Sequence, residues 1–168
     1  MAETGREKPL DRSEFFEDGR LARPLSPGTL ARGQLRADTA FFTGKAGGEL
    51  VDRLPLPLDK ELLARGQERY EIFCTPCHGR AGTGEGAVVR RGMRTPPSYH
   101  IPRLREAPIG HFFDVVTNGF GIMLDYAEQI PPADRWAIAA YIRALQVSQG
   151  IPVAELTPEE RALLDRQR

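Results

Sequence analysis

Five consecutive residues, Cys74-Thr75-Pro76-Cys77-His78, hold both cysteines of this 168-residue chain. Two thiols at this spacing can add to the two vinyl groups of one haem, and the imidazole that follows then falls under the iron. A disulfide here would close almost no loop and stabilise little. A structural zinc site would need two more thiol or imidazole ligands, and the remaining histidines, His100 and His111, sit in no matching pair. A thioredoxin-type dithiol calls for a strand before the motif and a helix opening at its first cysteine. Here helical periodicity runs into Cys74 and glycine-rich sequence follows His78, the reverse order. The motif predicts one covalent haem c with His78 as an axial ligand.

Candidates for the second axial ligand are Met93, Met123, His100 and His111. A thioether must reach the iron from the face opposite His78, which places it on a loop able to fold over the haem. Met123 fits best, because Gly119-Phe120-Gly121-Ile122 lets the backbone come close and predicted helices fix both loop ends. Met93 lies only fifteen positions after His78 and reads as a haem-edge or surface contact. His111 reads as an ordinary, partly exposed helix residue, and His100 as a loop side chain. Met and His together would close the iron, favouring electron transfer over binding or activating small molecules. The other ring nitrogen of a ligating histidine needs holding, usually by a backbone carbonyl. The rigid Thr95-Pro96-Pro97-Ser98 turn is expected to supply it, with Pro97 as the candidate contact.

These side chains must be positioned by helices. Leu62 or Leu63, Gly66, Tyr70 and Phe73 share one helical face, with Asp59 as N-cap. Residues 79 to 107 hold seven glycines and prolines before Pro102 and read as loop. A second helix is predicted from about Pro108 to Thr117, stopped by Asn118-Gly119, with Ile109, Phe112, Phe113 and Val116 on one face. A third spans about Ala133 to Ser148 and offers Trp136, Ala140, Tyr141 and Leu145 to one face. Thr157-Pro158-Glu159-Glu160 has capping-box spacing and should start a short last helix. No repeat and no strand-like alternation stands out.

Acidic and basic side chains balance at 23 each, so nothing points to a nucleic-acid partner. No apolar run is long enough to span a bilayer, and Met1-Ala2-Glu3-Thr4-Gly5-Arg6 has no signal-peptide apolar region. Haem attachment and export would both demand such a signal, so the sequence is expected to begin after a processing site. Residues 1–57 are charged and rich in proline and glycine, yet carry Phe15, Phe16, Leu21, Leu25, Leu30, Leu35, Phe41 and Phe42. They read as an extended arm laid on its own domain or on a partner. Residues 58–150 form the haem domain in this reading, and 151–168 a tail with a short helix.

From Asp59 to Ser148 the residues resemble a class I cytochrome c: Gly66 and Tyr70 on the incoming helix, the haem motif, the methionine loop, then an aromatic-bearing last helix. The resemblance implies an all-α fold around one covalent haem, with the first and last helices crossing closely at Gly66. Gly110-His111-Phe112-Phe113-Asp114-Val115-Val116-Thr117-Asn118-Gly119-Phe120-Gly121-Ile122-Met123 is similar to the monohaem cytochrome subunit of alternative complex III, a bacterial quinol:electron-acceptor oxidoreductase. So are Gln129-Ile130-Pro131-Pro132-Ala133-Asp134-Arg135-Trp136-Ala137-Ile138 and the arm stretches Phe15-Phe16-Glu17-Asp18-Gly19-Arg20 and Ala31-Arg32-Gly33-Gln34-Leu35. Leu124 follows the methionine where many relatives carry proline, and no third cysteine is present to bear a lipid.

That resemblance implies a subunit, not itself an enzyme, on the periplasmic face of the bacterial cytoplasmic membrane. It would take electrons from a multihaem cytochrome and pass them towards a terminal oxidase or a soluble cytochrome. Two rivals remain: a freely diffusing periplasmic carrier, and a catalytic or gas-sensing haem protein, which would need an open iron.

Overall fold

The computed structural model describes residues 5, 7–32 and 35–166, without the side chain of Leu164. Gly33 and Gln34 of the second arm stretch lie outside the described residues, as do Met1–Thr4 and Arg6. The chain divides into two units, Met1–Ala37 and Asp38–Arg168.

The first unit folds back once. Arg12 bridges Arg20, and the Ser13 amide donates to Gly19 O at 3.1 Å. The Asp18 carboxylate accepts from Arg23 Nη1 at 2.7 Å, which holds its carboxyl below the ordinary range, and the same guanidinium lies over the Phe16 ring. Leu10, Phe15, Leu25, Leu30 and Leu35 are exposed, and among the unit's described residues only Ser13 is buried.

The second unit begins with a strap. Asp38 caps helix α1 (Thr39–Thr43), which leads into a hairpin of β1 (Lys45–Ala46) and β2 (Glu49–Leu50). Grouped with the arm on sequence grounds, residues 38–57 pack here, with Phe41, Val51, Leu54 and Leu56 against the core. Neither short element was predicted: five helical residues and two per strand are too few for a periodic signal.

Helix α2 (Lys60–Phe73) starts as expected, with the Asp59 carboxylate accepting from the Leu62 amide at 2.8 Å. It crosses α6 (Pro132–Ser148) on the face bearing Gly66 and Tyr70. A Cβ on Gly66 would press into the Ala137 carbonyl, 2.7 Å from its carbon and 3.0 Å from Tyr141 Cβ. Glycine is therefore what lets the two backbones meet, and Tyr70 and Tyr141 fill the crossing with ring centroids 5.3 Å apart.

Helix α5 (Ile109–Asn118) buries Ile109, Phe112, Phe113 and Val116, the predicted face. Phe113 stacks on Trp136 of α6 at 4.3 Å, and the indole N–H donates to Phe41 O of the strap at 2.7 Å. Between α2 and α5 lie α3 (Thr75–His78), a 3₁₀ turn at Val89–Arg91 and α4 (Pro102–Glu106). Helix α7 (Pro158–Asp165) opens with the capping box, the Thr157 amide donating to Glu160 Oε2 at 2.8 Å. Among the described residues no helix is long and apolar enough to cross a membrane.

Candidate metal centre

The five-residue motif is one helical turn hung from the end of α2. The Cys74 amide donates to Tyr70 O, and the Cys77 and His78 amides both donate to Cys74 O, at 3.2 and 2.8 Å. Pro76 sits in the first turn of α3, where its missing N–H is no loss. The glycine-rich segment after His78 then folds under the motif. Amides of Gly84, Gly86 and Val88 donate to the carbonyls of His78, Cys77 and Pro76, at 2.9, 3.1 and 3.0 Å. This satisfies the backbone of the turn and leaves its side chains to face a pocket.

That pocket is lined by Phe73, Cys74, Cys77, His78, Val116, Met123, Tyr126 and Ile130. The sequence predicted Cys74, Cys77, His78 and Met123 as functional, and the fold brings all four together. Of the four candidates for second axial ligand, Met123 lines the pocket and Met93, His100 and His111 do not. Met93 Sδ lies 3.8 Å from Cys77 Sγ, with the residue 42% exposed. His100 Nε2 is 2.7 Å from Ala81 O, and half-buried His111 sits edge-on to Phe112.

Met123 is held by a tight hairpin turn. The Phe120 and Met123 amides each donate to the other residue's carbonyl, at 2.9 and 3.0 Å, and Gly121 supplies the positive φ of 61° that the turn needs. The ends of the longer loop are tied by Arg135 of α6, a residue the sequence reading missed. Its Nη1 donates to Thr117 Oγ1 before the loop at 2.6 Å, and its Nε donates to Ile130 O after it at 2.9 Å. Arg135 is 6% exposed and lies over the Phe113 ring. Its only sequence signal is a cation placed next to Trp136 on the apolar side of a predicted helix.

Burial dominates the electrostatics of the pocket. It lowers the His78 imidazole to about 4, so the ring is neutral at physiological pH and its nitrogen lone pair is free to ligate. Burial pushes the Cys74 thiol up to about 12, with Cys77 adding to the effect. His78 Nδ1 is buried without a hydrogen-bond partner in this structure, and Pro97 of the expected turn is exposed. The proline turn lies across Gly84, whose Cβ would meet Pro96 O at 2.5 Å, and this delivers the ring of Tyr99 to the imidazole.

The donor set fits a haem. Thiols and an imidazole converge with a thioether in a pocket whose other walls are apolar, and an orphaned imidazole nitrogen is buried beside them. Among the described residues no group of three or more His, Cys, Asp or Glu side chains could hold a bare metal ion. Residues 61–142, just under half of the chain, match the family described as cytochrome C oxidase, cbb3-type, subunit III.

Over residues 61–142 the chain is similar to a cytochrome c domain. A cytochrome c domain implies a haem cofactor and haem-based electron transfer. The match supports the class I resemblance drawn from Gly66, the motif and the methionine loop. Among solved structures, a chain of the reducing HAO-like protein complex of Kuenenia stuttgartiensis is similar to this one. The two share 19% identity with a TM-score of 0.49, over 64% of this chain and 54% of that one. This chain therefore spans about half the length of that structural neighbour. No curated protein sequence matches the chain.

Proposed function

We propose that the cytochrome c domain carries one haem attached covalently through Cys74 and Cys77, with His78 and Met123 as axial ligands, and that its work is one-electron transfer. A single observation carries this reading: Cys74, Cys77, His78 and Met123 line the same pocket. When bound, the haem supplies an iron couple that gains and loses one electron. The chain's own residues do the rest. Desolvation keeps His78 neutral and able to ligate at physiological pH. The Phe120–Met123 turn and the Arg135 ties hold the thioether in place, so the second axial position stays filled. Phe73, Val116, Tyr126 and Ile130 give the pocket apolar walls, which restrict water and favour the less charged, reduced iron.

We further propose that the chain serves as a subunit resembling the monohaem cytochrome of alternative complex III. In that setting it sits on the periplasmic face of the bacterial membrane, receives electrons from a multihaem cytochrome and passes them to a terminal oxidase or a soluble cytochrome. The exposed Leu10, Phe15, Leu25, Leu30 and Leu35 of the first unit support it, since they offer apolar anchors to a partner. A blue-native gel of the source membrane, stained for haem and probed for this chain, tests the setting. Migration with larger haem and iron–sulfur proteins is expected; migration as a lone small cytochrome would make it a diffusing carrier.

A further inference from the structure

A second cavity, of about 350 Å³, shares no lining residue with the pocket of Cys74, Cys77, His78 and Met123. Its walls include Arg105 of α4, Arg143, Gln146 and Val147 of α6, and Ile151 and Glu155 beyond that helix. This volume is within the range of small-molecule sites.

Both arginines are held in place by neutral acceptors. Arg105 Nε donates to His100 O at 2.9 Å and its Nη1 to Gln146 O at 3.0 Å. Arg143 Nη1 donates to Arg105 O at 3.0 Å and to Gln146 Oε1 at 2.7 Å, and its Nη2 donates to Ala107 O. Gln146 is 4% exposed and is fixed in turn, its Nε2 donating to Tyr99 O and Leu104 O. Among the described residues neither guanidinium forms an ion pair. Asp52 favours the charge of Arg143 from beyond ion-pair distance, but burial outweighs it and lowers that guanidinium below its ordinary value. Two half-buried like charges on one cavity wall repel each other and are short of solvent, a cost that a bound anion would offset. Donors remain for it, since Arg105 Nη2 and Arg143 Nε make no hydrogen bond among the described residues.

The rest of the lining says what the anion is attached to. Val147 is 56% and Ile151 41% exposed, and Val153 of the following 3₁₀ turn (Val153–Glu155) is 55% exposed. A lone phosphate would fill only part of the cavity and leave this apolar rim uncovered. Glu155 disfavours a doubly charged head, so a phosphodiester with one negative charge suits the wall better than a monoester.

We propose that this cavity binds an anionic phospholipid: Arg105 and Arg143 take the phosphodiester through paired N–H bonds, and Val147 and Ile151 take the start of the acyl chains. The site stands apart from the haem reading and needs no membrane-crossing helix.

The experiment titrates the full-length, haem-loaded, reduced protein with dihexanoylphosphatidylglycerol below its micelle concentration, followed by ¹H–¹⁵N correlation spectra. Saturable shifts are expected in the Nε–H signals of Arg105 and Arg143 and in the amides of Val147 and Ile151. Inorganic phosphate and octyl glucoside, which supply the head and the apolar chain separately, are each expected to bind at least about tenfold more weakly. No saturable shift at these four residues would overturn the proposal, as would phosphate or octyl glucoside binding as tightly as the lipid. Arg143→Gln should lose the lipid shifts. Because it also removes bonds to carbonyls, Ile151→Asp at the exposed rim serves as the second variant. It should weaken the lipid by about tenfold without changing the haem spectrum, and an unchanged lipid affinity would overturn the proposal.

Discussion

Replacing Gly66 by alanine puts one methyl group where α2 and α6 touch. On an exposed helix the change would help, because alanine is favoured over glycine by about 1 kcal/mol. Here the new Cβ would lie 2.7 Å from the Ala137 carbonyl carbon and 3.0 Å from Tyr141 Cβ. Carbon atoms pack best at about 3.5–4.0 Å, so the helices must part by roughly 1 Å. The obstacle is backbone in mid-helix and cannot swing aside as a flexible side chain would. Overpacking of this kind costs about 1–3 kcal/mol, and the upper end applies where rigid backbone is struck. Subtracting the propensity gain leaves a net loss of about 2 kcal/mol, worth roughly 6–10 °C in melting midpoint for a unit of this size. Urea unfolding of the haem-loaded protein, followed by far-ultraviolet circular dichroism, measures it. Ala64→Gly, at an exposed site on the same helix, is the control and should lose about 1 kcal/mol from propensity alone. A Gly66→Ala protein as stable as wild type, or more so, would refute the close-crossing account.

Met123→Ala should abolish the sulfur–iron charge-transfer absorption of the oxidised protein and lower its reduction potential; an unchanged spectrum would assign the ligand elsewhere. Arg135→Met removes two charged hydrogen bonds at the ends of the methionine loop. It should cost at least about 3 kcal/mol in urea titration and weaken the same absorption band before global unfolding. Deleting residues 1–57 removes the strap whose Phe41 carbonyl accepts from the Trp136 indole, and should lower the midpoint by several degrees.

The parts of the fold legible in the sequence are those with a repeated or local signal. Asp59 caps α2 because a carboxylate just before an apolar helical face is a start signal, and Gly119 ends α5 because glycine after the last periodic residue is a stop. The motif and Met123 were legible because sulfur and imidazole are scarce in this chain. The strap was not, because its packing rests on single residues such as Phe41 and Val51 that meet the core only after distant helices have assembled. Arg135 and Gln146 were missed for a related reason: each satisfies carbonyls from other elements, and no spacing rule reports such a bond.

The single tryptophan of the chain stacks on Phe113 and donates its indole N–H to Phe41 O in the strap. Its emission is therefore a built-in optical reporter with no competing indole. Detachment of residues 38–57 would expose the ring to water and move its emission to longer wavelength, while a haem in the pocket would drain the excited state by energy transfer. Emission colour would report whether the strap is docked, and emission intensity whether the cofactor has arrived. Maturation of this protein could then be followed in a cuvette without attaching a label.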